Sequence, residues 1–191
     1  MQPLFTVHAG EMIVADALQA RFGKHANVWI PTKDTGVDLL VSDTTNRKTV
    51  SLQVKHSRCY AYPHLQARFG QNLTSCGWWR FDTQKLKNSP ADLWVLIIIG
   101  TQQPAVHFIF IEPKALLARI TKLRPNASST QSHLWIERNN CWETMGLKQN
   151  DKTQLVSGAF TPKSRNFSEF LGAWSKIEER IKLGLTQVEL S

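Results

Sequence analysis

The sequence predicts an α/β sandwich built on a mixed sheet. Three observations lead there. The elements alternate helix, strand, strand, strand, mixed region, strand, strand, helix, an order suited to helices packed on a sheet. Thr49-Val-Ser-Leu-Gln-Val-Lys-His56 alternates polar and apolar residues as a half-buried strand does. Leu93-Trp-Val-Leu-Ile-Ile-Ile99 is apolar on both faces, as a central, doubly covered strand should be.

The elements follow in order. Residues 8–22 have Met12, Ala15, Leu18 and Phe22 at spacings of three and four, with Val14 widening the stripe, so an amphipathic helix is expected, stopped by Gly23. A short strand is expected at Asn27–Pro31, a turn at Lys33–Gly36, and strands at Val37–Ser42 and Thr49–His56. The last two are joined by a turn-rich loop of about six residues and should form an antiparallel hairpin. In residues 57–91, Pro63, Gly70 and Gly77 interrupt any long period, so a loop-rich excursion with a short helix near Asp82–Lys87 is expected. Leu93–Gly100 and Val106–Glu112 read as further strands, and Pro113 fits the first turn of a helix running to about Leu123. Residues 124–166 are polar and give no clear period. Ser168 suits the cap of a last helix, with Phe170, Leu171, Trp174, Ile177 and Ile181 along one side. The expected division is a core over residues 1–123 and a C-terminal extension over 124–191 whose terminal helix packs on that core.

Composition narrows the function classes. The chain has 191 residues, 42% of them hydrophobic, enough for one domain with a sizeable core. Twenty-three Lys and Arg against fifteen Asp and Glu leave a net charge of +8, which favours a polyanionic partner. Three widely spaced Cys with no CxxC pair argue against a Cys-built zinc site and a disulfide framework, and suit free thiols in a reducing compartment. The longest apolar run is too short to span a bilayer, and MQPLFTVHAGE lacks a charged start followed by an apolar stretch. A soluble, cytoplasmic chain without a membrane partner is the expectation.

The chemistry concentrates on the hairpin. Strand alternation points Gln53 and Lys55 to one sheet face and Leu52 and Val54 to the other. Pairing around a loop centred near Asn46 sets Asp38 roughly opposite residues 53–55. A carboxylate, an amide oxygen and an ammonium then meet at one end of one face. A hard cation such as Mg2+, with Mn2+ as an alternative, prefers oxygen ligands: Asp38 directly, then the Gln53 side-chain oxygen and the Val54 backbone carbonyl. Lys55 is suited to orient a water and to stabilise charge on a phosphoryl transition state.

Gly36-Val-Asp38 on one strand and Gln53-Val-Lys55 on the next resemble the paired motifs of the PD-(D/E)XK, or restriction-endonuclease-like, nucleases. The resemblance covers about residues 8–112. It implies a three-layer α/β/α core and a site in which the Asp, an acidic residue or Gln, and the Lys sit on a central hairpin. Many members carry a Glu on the first helix, and Glu11 in Ala9-Gly-Glu11 is the matching residue, implied to help hold a metal. The implied activity is metal-dependent endonucleolytic hydrolysis of DNA, duplex or branched. Cutting both strands of a duplex often calls for a dimer, so a homodimer is among the expectations. One departure is Gln53, which stands where many relatives carry Asp or Glu. It removes a negative charge and motivates an alternative, a nucleic-acid-binding protein that keeps the fold without cleaving. A third reading is a structural protein that assembles through its apolar C-terminal helix.

Lys33, Arg58 and Arg80 are the candidate contacts to a nucleic-acid backbone. Trp78-Trp79-Arg80, near Lys85 and Lys87, mixes aromatic rings with positive charge, a composition that stacks bases, although at least one of the Trp is expected in the core. His56 points away from Lys55 and is expected as a core histidine; His8 is expected at the helix start.

Overall fold

The alternating hairpin is the centre of a five-stranded mixed sheet. The structure is a computed structural model and describes residues 9–33, 35–60, 65, 68–69, 73–99 and 106–182. In chain order its strands are β1 (Ala26–Trp29), β2 (Leu39–Asp43), β3 (Thr49–Arg58), β4 (Leu73–Asp82), β5 (Leu93–Ile99), β6 (Val106–Ile111), β7 (Ser129–Glu137) and β8 (Asn140–Glu143). Its α-helices are α1 (Ala9–Phe22), α2 (Thr83–Lys87), α3 (Pro113–Leu123), α4 (Gln149–Val156) and α5 (Ser175–Ile181). The larger sheet runs β1-β2-β3-β5-β6, with β3 and β5 parallel and the other pairs antiparallel; a second sheet runs β4-β7-β8. His8, Pro63, Gly70 and Gly100 lie outside the described residues, as does position 34 within the Lys33–Gly36 turn.

The hairpin forms because both ends of its loop are satisfied locally. Asn46 takes the left-handed conformation (φ 58°), and the Asp43 carboxylate accepts from the backbone N–H of Arg47 and Lys48 at 2.8 and 3.1 Å. The resulting register sets Leu39 against Leu52 and Val41 against Val50, which points all four into one core. On that face Val14, Leu18 and Phe22 of α1 and Ile177 and Ile181 of α5 pack over Val50, Leu52, Val54, Val95 and Ile97. Met12 is 43% exposed, so the buried line of α1 passes through Glu11, Val14 and Leu18 rather than through Met12.

The opposite face is covered by strands as well as helices. Trp79 and Phe81 of β4, Leu134 and Ile136 of β7, Leu86 of α2, and Leu116 and Ile120 of α3 pack over Trp94, Leu96, Ile98, Ile109 and Ile111. This layer differs from the all-helical one that a three-layer α/β/α core would have. Its key strand, β4, falls where the sequence suggests a loop-rich excursion. Gly77 reads as a breaker, yet it lies inside the strand: a Cβ there would come within 2.6 Å of the Trp79 ring and 2.8 Å of Ile98. The glycine lets the two sheets approach each other.

The C-terminal segment also departs from a single capped helix. Ser168–Phe170 is a 3-10 turn, and the Ser168 hydroxyl accepts from the Cys141 backbone N–H at 2.9 Å instead of capping a helix. Phe170 packs on the β4 side of the larger sheet, whereas Ile177 and Ile181 pack on the α1 side. The chain rounds the β6 edge between them, with Leu171 bridged to Ile109 and Gly172 N–H donating to the Phe108 carbonyl at 2.8 Å. α5 therefore begins only at Ser175. Residues after 123 are bound into the structure before it, because β7 pairs along β4 from Leu73↔Glu137 to Asp82↔Ser129. Cys76 and Cys141 are free thiols, and burial raises the thiol pKa of both. No helix among the described residues is long and apolar enough to cross a membrane.

Candidate functional site

A break in the β2–β3 ladder creates the site. The ladder ends at Leu39↔Leu52, while β3 continues to Arg58. Asp38 is the last residue to follow β3. Its backbone N–H donates to the Leu52 carbonyl at 2.8 Å, and its carboxylate Oδ2 accepts the Val54 N–H at 2.6 Å. The side chain thus takes over a ladder position from the backbone. Upstream of it the chain turns away at Gly36 (φ +82°), where a Cβ would touch Pro90 at 3.3 Å. Past Asp38 the edge of β3 lies open.

The opening is a cleft of about 1450 Å3, and it is lined by Glu11, Asp38, Gln53, Val54 and Lys55 together. Alternation explains how residues from both sheet faces reach it. Gln53 and Lys55 come from the β4 side, and Glu11 comes from α1 on the other side, where it is 7% exposed. In an antiparallel ladder the N–H and C=O of one residue point to the same neighbour. Since the Val54 N–H faces Asp38, the Val54 carbonyl faces the same opening. The start of α1 lies close against β3: a Cβ at Gly10 would sit 3.1 Å from that of His56.

Two tryptophans form the floor beneath Lys55. Its ammonium lies 5.9 Å from the centre of the Trp94 ring, and its carbonyl accepts from Trp79 Nε1 at 3.2 Å. Trp94 is itself held by Ser89, whose hydroxyl accepts from Trp94 Nε1 at 2.9 Å. The Lys55 ammonium thus stands over an aromatic face that favours its charge, and its backbone is tied to β4.

Of the expected backbone contacts, Lys33 and Arg80 line the cleft, and Arg58 does not. Arg58 lies three residues past Lys55 and so projects to the opposite face. Lys33 and Arg80 stand on different walls, one before β2 and the other on β4, where Arg80 Nε donates to the Ser129 hydroxyl at 2.8 Å. His56 is exposed and lines the cleft, so it is not a core histidine. It sits on the α1 side, as alternation requires, but past the end of the hydrocarbon. Sequence reasoning missed Lys85, Gln84 and Ser129 as cleft residues. Lys85 alone carried a signal, its nearness to Trp78-Trp79-Arg80; the others depend on where β4 crosses β3.

The donor set suits a hard divalent cation: two carboxylates, an amide oxygen and a backbone carbonyl, with no thiol. Among the described residues, no group of three or more His, Cys, Asp and Glu side chains comes together: Glu11, Asp38, His56 and Asp82 all line this cleft but do not form such a group. No family model, no curated protein and no solved structure matches the chain.

Proposed function

We propose that the protein is a Mg2+-dependent deoxyribonuclease with a restriction-endonuclease-like core of the PD-(D/E)XK type. The observation that carries this reading is that Glu11, Asp38, Gln53, Val54 and Lys55 all line one cleft, with Asp38 held by the Val54 N–H at 2.6 Å. The strand order supports it, because the hairpin bearing Asp38 and Lys55 lies next to a parallel strand, β5.

Asp38 and Glu11 would hold the cation through carboxylate oxygens, assisted by the Gln53 side-chain oxygen and the Val54 carbonyl. When bound, Mg2+ supplies a polarised phosphoryl oxygen and a water acidified for attack. Lys55, seated on Trp94, orients the attacking water and stabilises charge that develops on the phosphoryl group. Lys33 and Arg80 hold backbone phosphates on either wall and so fix the register of the strand. Gln53 contributes no charge, so cation affinity rests on the two carboxylates.

The test is cleavage of DNA by the full chain with Mg2+. Asp38→Ala and Lys55→Ala should each lower the rate by roughly a hundredfold or more, the usual loss for one transition-state contact, with the fold unchanged by circular dichroism. Full activity in both variants would overturn the assignment. Gln53 also favours a second reading, a DNA-binding module that does not cleave. Wild-type protein that binds DNA at low salt but leaves it intact with Mg2+ or Mn2+ would select that reading.

A further inference from the structure

β4 sends one tryptophan into the core and its neighbour out of it. Alternation packs Trp79 and Phe81 against the larger sheet and turns Trp78 and Arg80 to the opposite face. Trp79 is 5% exposed and Trp78 is 50% exposed. The β4–β7 register sets His133 beside Trp78 and Gln131 beside Arg80, with the His133 ring 5.6 Å from Tyr60 and the buried Cys76 and Trp135 further along the same face.

Trp78 does not itself line the cleft, but its strand crosses β3 beside it and its neighbours Trp79 and Arg80 do line it. The Trp78 backbone N–H donates to the Ser57 hydroxyl at 3.0 Å, and Trp79 Nε1 donates to the Lys55 carbonyl at 3.2 Å. These bonds tie β4 across β3 beside Lys55. Arg80, two residues further along the same face, lines the cleft with Lys33, Lys55 and Lys85. At about 3.3 Å of rise per residue, Trp78 and Arg80 are separated by about 6.6 Å along the strand, a span that one extended nucleotide bridges.

We propose that Trp78 is a stacking platform for an unpaired base of a DNA strand whose backbone enters the cleft past Arg80. The preferred substrate then carries a single-stranded segment beside the phosphate in the cleft. The inference rests on the nucleic-acid reading of the cleft and does not require cleavage. In a duplex each base face is covered by its neighbours, so only an unpaired base has a face to offer the indole. Phosphates on the same strand meet Arg80, Lys85 and Lys33, and the net charge of +8 favours their approach.

The experiment is equilibrium binding in EDTA at low salt, using a single-stranded oligonucleotide and a blunt duplex of the same sequence. Trp78→Ala should weaken single-strand binding roughly tenfold or more, the usual value of one stacked base, and leave duplex binding unchanged. Trp78→Phe should retain most of the single-strand affinity, which a loss of fold would not allow. The salt dependence of binding should be the same in Trp78→Ala and wild type, while Arg80→Ala should lower its slope by about one. Equal single-strand affinity in Trp78→Ala and wild type overturns the platform and leaves the cleft reading standing. An equal loss on both oligonucleotides also overturns it. Wild-type protein that binds neither oligonucleotide overturns the nucleic-acid reading along with the platform.

Discussion

Both sheets are packed on hydrocarbon, but the smaller one also buries a charge, and the cleft lies between them. In the larger sheet, Leu93, Val95 and Ile97 of β5 share one core with Val50, Leu52 and Val54 of the hairpin, while Leu96 and Ile98 are buried on the opposite face. In the smaller sheet, a carboxylate is buried. Glu143 at the end of β8 is 0% exposed; Arg124 donates to it at 2.6 Å and Arg165 at 2.5 Å. A buried charge is tolerated only when paired in this way. The strand bearing Gln53 and Lys55 is thus set by dry packing, whereas the sheet that presents Arg80 and Trp78 adds a buried ionic cluster to the packing of Trp79, Phe81, Leu134 and Ile136. The wall should be separable from the hairpin by mutation.

The largest stability effect should come from breaking that cluster. Glu143→Ala takes the carboxylate from two guanidinium groups, leaving them backbone carbonyls such as that of Met145, and should cost about 3–5 kcal/mol, read from urea unfolding of the variant and wild type. A loss below about 1 kcal/mol would mean that the cluster contributes no more than a surface pair and that the contrast between the sheets is false. A smaller effect tests their contact. Gly77→Ala adds a Cβ within 2.6 Å of the Trp79 ring and 2.8 Å of Ile98, so the sheets must part. The expected cost is about 1–3 kcal/mol, against which the usual gain from replacing glycine is minor. A variant as stable as wild type would show that this approach is not tight.

The same contrast explains what was legible in the sequence. The β2–β3 hairpin is a local object: its loop residues, alternation and register are set within Leu39–Arg58, so the neighbourhood of Asp38, Gln53 and Lys55 could be derived before any coordinates. Pro113 at the start of α3 is local in the same way. β4 is not. Its partner β7 follows two strands and two helices later, and the glycine within it has its reason in Ile98, a residue of the other sheet. His56 shows the same limit on a small scale. Alternation gave its face correctly, but its exposure depends on where α1 starts, and that is a packing fact. Ser168 looked like a cap because the apolar residues after it share a helical spacing, although Phe170 and Ile177 belong to cores on opposite sides of one sheet.

The central claim is that Asp38 and its neighbours at the open edge of β3 hold a divalent cation, and calorimetric titration with Mn2+ tests it without any substrate. Wild-type protein should show saturable binding, Asp38→Ala should lose it, and Lys55→Ala should retain it, because removing a nearby positive charge does not weaken a cation site. Binding by Asp38→Ala equal to that of wild type would contradict the account.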